Sequence, residues 1–121
     1  MEVFEAQQGR AEQYLDEMLE AERNSDYVAF CKRFEEDDLI DFDEQAFKEA
    51  VEAQRQELGG YQSRIFLGAL NGYQDVTDAE KHPDCLRYVW RGLFEKNETL
   101  IVVGIHERNG IWHVNENMFF Y

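Results

Sequence analysis

The chain has 121 residues, a length typical of one domain, and 44% of them are hydrophobic and 14% aromatic. A chain of this size buries roughly two thirds of the surface that its unfolded form exposes, so a core needs neither disulfides nor a metal. Its 26 acidic residues against 12 Lys and Arg give a net charge of −14, which disfavours binding to nucleic acids and to anionic membranes.

Targeting and redox signals are both lacking in the sequence. No stretch approaches the roughly 20 apolar residues of a membrane span, and the first ten residues lack the basic start and apolar segment of a signal peptide. Cys31 and Cys85 stand in neither a disulfide framework nor a metal-ligand spacing. We therefore expect a single cytoplasmic domain, residues 1–121, with reduced thiols, no cofactor and no metal.

The N-terminal half predicts three helices. Apolar residues recur at gaps of three, four and seven over residues 2–23, which indicates one amphipathic helix. A short second helix is expected over residues 27–34, ended by the run of acids that follows it. The third begins after Asp43, a natural N-cap, and ends at Gly59-Gly60, where glycine favours a left-handed stop.

The C-terminal half predicts strands. β-branched and aromatic residues dominate four segments, at residues 61–70, 85–95, 99–107 and 111–121. A polar loop at residues 71–84 separates the first two, and it contains the chain's one proline. Asn109-Gly110 is a strong signal for a two-residue hairpin, because both residues tolerate the positive φ of a type I′ turn.

The Asn109-Gly110 turn sets a strand register, and the register assigns residues to faces. It places Ile105 opposite Val114 and Val103 opposite Glu116. The face expected to pack on the helices is almost wholly apolar and carries Leu86, Tyr88, Trp90, Gly92, Phe94, Ile101, Val103, Ile105, Trp112, Val114, Glu116, Met118 and Phe120. The opposite, mixed face carries Arg87, Val89, Arg91, Leu93, Leu100, Val102, His106, His113, Asn115, Asn117 and Phe119. Such a mixture is typical of a subunit interface and predicts a homodimer.

Three segments carry a resemblance to a known superfamily: DFDEQAF at the third helix, ELGGYQSRIF at its end, and the closing HERNGIWHVNENMFFY. Together they resemble the nuclear-transport-factor-2-like (cystatin-like cone) superfamily, including small bacterial members of unknown function. The resemblance implies an α+β fold with three N-terminal helices packed on one face of a curved four-stranded antiparallel sheet. It also implies a cleft between helices and sheet, and dimers across the outer sheet face. Larger members have a β-hairpin between the second and third helices, for which this chain has no room.

Members of that superfamily include isomerases, dehydratases and non-catalytic binding modules, so the fold alone does not decide the function. We expect a non-catalytic binding module whose helix–sheet cleft takes a small apolar ligand or a protein partner. The residues predicted to line the pocket are Tyr14, Met18, Tyr88, Trp90, Val103, Glu116 and Met118.

Two other functions stay open. Glu116, the one carboxylate on the apolar face, is the candidate general base of a small isomerase, dehydratase or hydrolase. The acidic run at residues 35–44 suggests instead an immunity-like inhibitor of a basic protein. Neither the facing His106 and His113 nor the loop trio His82, Asp84 and Cys85 has the further ligands that a metal site needs, so no metal is predicted.

Overall fold

Three helices precede four strands, as the sequence predicts. The computed structural model describes residues 3–71 and 80–121, and the predicted loop at residues 71–84 falls largely outside them. The elements are α1 (Val3–Arg23), α2 (Tyr27–Cys31), a 3-10 segment (Glu36–Leu39), α3 (Glu44–Leu58), β1 (Tyr61–Asn71), β2 (Leu86–Phe94), β3 (Glu98–Arg108) and β4 (Ile111–Phe120). This confirms the α+β class with a four-stranded antiparallel sheet. Among the described helices, none has the length and apolar character needed to cross a bilayer.

The ends of α3 follow directly from its sequence. The Asp43 carboxylate accepts a hydrogen bond from the Ala46 amide at 2.8 Å, so it caps one of the free N–H groups at the start of the helix. The rings of Phe42 and Phe47 pack with centroids 6.4 Å apart and fix the entry of the chain. Gly59, with φ of 74°, ends the helix in a conformation that side chains disfavour. The predicted bounds of α3 are confirmed.

Helix α2 ends earlier than predicted because the chain after it pairs with the sheet. The Val114 amide donates to the Arg33 carbonyl at 2.9 Å, and Phe34 forms a parallel bridge with Val114. Phe34, which continues the helical spacing of α2, therefore lies outside the helix and covers part of the edge of β4. An unpaired strand edge exposes backbone polar groups, so this contact stabilises both segments.

The sheet is open, with strand order β1-β2-β3-β4 and antiparallel neighbours throughout. Asn109 and Gly110 have φ of 54° and 79°, as the predicted turn requires. The predicted pairs hold from this turn as far as Ile105 with Val114.

A β-bulge at Asn115 then shifts the register. Gly104 pairs with Glu116, and Val103 pairs with Asn117 rather than with Glu116, so the predicted Val103–Glu116 pairing was wrong. A Cβ on Gly104 would lie 2.9 Å from Asn115 Nδ2 and 3.1 Å from Cys85 Sγ, so the missing side chain makes room for the bulge.

The bulge exchanges the faces of the end of β4. Because side chains alternate along a strand, one extra residue turns every later side chain to the other face. Glu116, Met118 and Phe120 therefore lie on the outer face, whereas Asn117 and Phe119 point toward the helices. The predicted assignment of these five residues was wrong.

The core lies between the inner sheet face and the helices. Trp90 and Tyr88 are its largest fully buried side chains, and they pack on α1. The cluster also includes Tyr14, Leu15, Met18, Phe47, Leu58, Ile101, Val103, Ile105 and Val114. Trp112, predicted on this face, is only partly buried and packs against the rim of the cluster.

Candidate functional site

The residues predicted to line the pocket are divided between the core and the outer sheet face. Five of them belong to the core, since Tyr14, Met18, Tyr88, Trp90 and Val103 are each exposed by 3% or less. These side chains fill the interior rather than line an open cleft. The pattern that selected them, apolar residues on one face of a helix or strand, is the pattern of a core.

Glu116 lies on the outer face, held by an arginine. Arg87 Nε donates to Glu116 Oε1 at 2.7 Å and Arg87 Nη2 donates to Oε2 at 3.1 Å. The two side chains are only 16% and 13% exposed, so this bidentate pair is shielded from solvent. A carboxylate with both oxygens engaged by a guanidinium is poorly suited to accept a proton from a substrate. The ion pair with Arg87 connects β4 to β2, so the geometry gives Glu116 a structural role.

An open cleft lies where α2 and the 3-10 segment approach β4, and we call it the β4 cleft. Its volume is about 480 Å³. It is lined by Phe30, Phe34, Asp38, Leu39, Phe42, Lys81, His82, Asn115, Glu116, Asn117 and Met118. Of the predicted pocket residues, only Glu116 and Met118 are in this set.

One wall of the β4 cleft is aromatic. The rings of Phe30 and Phe34 stack with centroids 5.7 Å apart, and Phe42 lies 5.9 Å from Phe30. Phe30 also contacts Phe47 of α3 at 5.0 Å, which anchors the wall to the core. The sequence pattern missed this wall because phenylalanines at helical spacing predict a core face. Phe34 contributes to the cleft because it leaves the helix.

The other end of the β4 cleft is polar and leads to an imidazole–acid cluster, formed by Glu35, Asp38, His82 and His106. His82 Nε2 lies 2.9 Å from Asp38 Oδ1, and His106 Nε2 is hydrogen-bonded to Glu35. The two imidazole rings are tilted by 34° to each other, with centroids 4.5 Å apart. The third histidine, His113, continues the row, its ring centroid 5.5 Å from that of His106.

The two acids of the cluster are held in their charged form. Burial alone would raise the pKa of Glu35, but hydrogen bonds from His106 and Arg108 outweigh it and keep the pKa below its ordinary value. Burial likewise opposes ionisation of Asp38, yet Lys81 and His82 lower its pKa overall. The sequence predicts these acids as an exposed run, and nothing local to it indicates their partners. The contacts of the two acids with the imidazoles join residues 44 or more positions apart.

A second polar locus missed by the sequence pattern is Glu22, on the buried face of α1. It is 8% exposed, and Gln54 Nε2 donates to its Oε2 at 3.0 Å. Burial raises its pKa to about 7, although the hydrogen bond from Gln54 works against the rise. Its spacing of four and seven residues from Met18 and Leu15 places it on the apolar stripe of α1, and that signal was present in the sequence.

Glu22 also touches two further cavities. One, of about 280 Å³, lies toward Gly60 and Tyr61, and the other, of about 260 Å³, lies toward Phe47 and Phe119. A carboxyl group with a pKa near neutrality beside a cavity is a candidate for binding or acid–base chemistry.

Neither family models, nor curated proteins, nor solved structures give a match to this chain. The resemblance to the nuclear-transport-factor-2-like superfamily therefore stays a prediction from the sequence.

Proposed function

We propose that the protein is a non-catalytic binding module whose β4 cleft takes a small, mainly apolar ligand. The observation that carries this proposal is the aromatic wall of Phe30, Phe34 and Phe42, which shares the cleft with polar side chains along β4 and at the end near His82. Ligand sites are typically concave and mostly apolar, with a few polar groups that orient the ligand, and volumes of about 300 to 1,000 Å³. The cleft's volume of about 480 Å³ lies in that range. The proposal includes a cytoplasmic location and membership of the cystatin-like superfamily.

The two other functions have weaker support. The pairing of Glu116 with Arg87 removes the sequence-based argument for that residue as a general base. Glu22, with its raised pKa, is the group on which an enzymatic function would depend. An inhibitor would use only part of the acidic run, because Glu35 and Asp38 contact histidines, whereas the other acids of residues 35–44 are exposed.

Filling the β4 cleft should abolish binding of an apolar probe. We expect the wild-type protein to bind an uncharged, environment-sensitive dye such as Nile Red with one saturable site and a blue-shifted emission. Leu39 lines the cleft, and a Leu39→Trp substitution replaces its side chain with a bulkier one that occupies part of the cleft. We expect the dye affinity of this variant to fall by about tenfold or more, measured by fluorescence titration, since a tenfold loss needs only about 1.4 kcal/mol.

The matched control is Ile40→Trp, at the next residue. Ile40 is 70% exposed and does not line the cleft, so this variant should bind the dye like the wild-type protein. Equal losses in the two variants would show that the dye binds elsewhere. Absence of saturable binding to the wild-type protein would contradict the proposal.

We further propose that the outer sheet face joins two copies of the chain. Large apolar side chains remain exposed across it, namely Ile65, Leu70, Leu100, Met118 and Phe120. The charged side chains among them neutralise each other, since Arg87 pairs with Glu116 and Arg91 with Glu98. An apolar and locally neutral face on a chain of charge −14 suits a second copy, because the remaining acidic surface opposes association elsewhere.

A charge at the centre of this face should produce monomers. Leu100 is 45% exposed, so Leu100→Glu should leave the folded monomer intact while it places two like charges in a symmetric interface. We expect sedimentation velocity to give a dimer for the wild-type protein and a monomer for the variant. Val28→Glu, at a residue of α2 that is 78% exposed, should stay dimeric. A wild-type monomer at high concentration would refute the interface.

A further inference from the structure

We propose that Asp38, His82 and His106 bind a divalent transition-metal ion such as Zn²⁺. Each offers a ligand atom, and these atoms all lie within 4.8 Å of one another. Two imidazole nitrogens and a carboxylate oxygen form a donor set that suits Zn²⁺ and related ions. The three residues come from the 3-10 segment, from the segment before β2 and from β3, so only the fold brings them together.

Two buried polar atoms of the cluster support this assignment. His82 Nδ1 and Asp38 Oδ2 have no hydrogen-bond partner within the part of the chain that the structure describes. Their side chains are only 5% and 7% exposed, so water does not freely replace the absent partners. Buried polar atoms are nearly always satisfied in native proteins, and an unpartnered pair within one cluster indicates a bound species.

The surroundings of His106 prepare one of its nitrogens for a metal. Its Nδ1 lies 2.8 Å from Asn115 Oδ1, and an amide oxygen only accepts hydrogen bonds, so Nδ1 carries the proton. Nε2 donates in turn to the Glu35 carboxylate, which also only accepts, so a metal ion bound at Nε2 would displace that proton. Metal-bound histidines commonly donate their other N–H to such an acceptor, which fixes the orientation of the ring. Asn115 is the bulge residue of β4, so the bulge places its side-chain oxygen against His106 Nδ1.

Closing the site requires small movements. Zn²⁺ holds tetrahedral ligands at about 2.0 Å, which leaves the ligand atoms about 3.3 Å apart, so the widest separation must shrink by at most about 1.5 Å. Lys81 Nζ, 2.8 Å from Asp38 Oδ1, supplies positive charge to the cluster. Its side chain is 43% exposed and can withdraw into solvent when a metal binds. Glu35, whose carboxylate is hydrogen-bonded to His106 Nε2, can supply a fourth ligand.

Metal titration of the chelator-treated full chain tests this inference. We expect Zn²⁺ to bind with a stoichiometry of one per chain by calorimetry and to raise the Tm with increasing concentration. Co²⁺ should give the intense visible bands of a low-coordinate site. The substitutions His82→Ala and Asp38→Asn should each weaken Zn²⁺ binding by about 100-fold, and Asp38→Asn preserves the shape of the side chain.

The matched control is His113→Ala, which removes the neighbouring imidazole outside the triad and should keep wild-type affinity. Three outcomes would overturn the inference: no Zn²⁺ binding by the wild-type protein, binding retained in a folded Asp38→Asn variant, or an equal loss in His113→Ala. Any of these outcomes would mean that the cluster only holds its segments together by hydrogen bonds. Dye binding in the β4 cleft does not depend on the result, so this inference and the proposed function fail separately.

Discussion

Replacement of Trp90 by alanine should lower the free energy of unfolding by about 3 to 5 kcal/mol. Trp90 is fully buried, and its ring contacts Phe66 and Tyr88 with centroids 5.9 and 6.3 Å apart. Its Nε1 also donates to Glu12 Oε2 at 3.0 Å, so the substitution leaves a cavity and removes the indole donor from that oxygen, while Arg64 still pairs with Oε1. Small domains are stable by only about 5 to 15 kcal/mol, and this single change removes a large share. Chemical denaturation monitored by circular dichroism measures it.

Two variants show that the loss comes from burial. Trp90→Phe keeps most of the ring and loses the hydrogen bond, so it should cost much less than Trp90→Ala. Trp112→Ala should also cost less, because Trp112 is only partly buried, with Arg10 5.2 Å above its ring. Similar losses for Trp90→Ala and Trp112→Ala would mean that Trp112 is a core residue, contrary to the structure.

The substitution Glu22→Gln should stabilise the protein by up to about 3 kcal/mol above pH 7. The raised pKa of Glu22, from 4.5 to about 7, means that folding penalises the ionised carboxylate, and the difference corresponds to about 3 kcal/mol. Glutamine keeps the shape and the acceptor for Gln54 and removes the charge. Its new NH₂ group takes the place of Glu22 Oε1, which has no hydrogen-bond partner among the described residues.

The stabilisation should depend on pH in a defined direction. Below pH 4.5 the carboxyl group is protonated in both the folded and the unfolded chain, so the penalty is absent. Between pH 4.5 and about 7 only the unfolded chain ionises, and the penalty grows. Above pH 7 it is complete. Urea denaturation of both proteins from pH 4 to pH 8 should therefore show a difference that widens with pH.

Glu20→Gln is the control for the Glu22 experiment, because it removes the same charge from the exposed side of the same helix. Its carboxylate is 66% exposed, so its stability should differ little from wild type at any pH. A Glu22→Gln variant without a pH-dependent gain would show that Glu22 is solvated.

Local signals in the sequence predicted the fold well. The caps of α3 and the Asn109-Gly110 turn depend on a few adjacent residues, and both are confirmed. The register beyond Val114 was predicted wrongly because a bulge depends on contacts across strands. Gly104 marks the position, but a glycine inside a strand also fits a regular pairing.

The candidate site was less predictable than the fold. Its components come from segments far apart in the chain, such as Glu35 with His106 and Asp38 with His82. The acidic run predicts a solvated surface because a sequence pattern records charge and spacing, not the partner that arrives from another strand. Phe34 was predicted as part of the second helix, and Met118 was predicted to line a pocket from the inner face of the sheet rather than from its outer face. Glu22, outside the β4 cleft, did carry a usable local signal, as an acid within an apolar helical stripe.

The row formed by the three imidazoles has a practical consequence for spectroscopy. The chain contains three histidines, and His82, His106 and His113 all lie in that one row. Every histidine ring signal in an NMR spectrum of this protein therefore originates from a single place, at the junction of the 3-10 segment with the sheet. The protein carries a native reporter there, and any event at that junction can be followed without an added label.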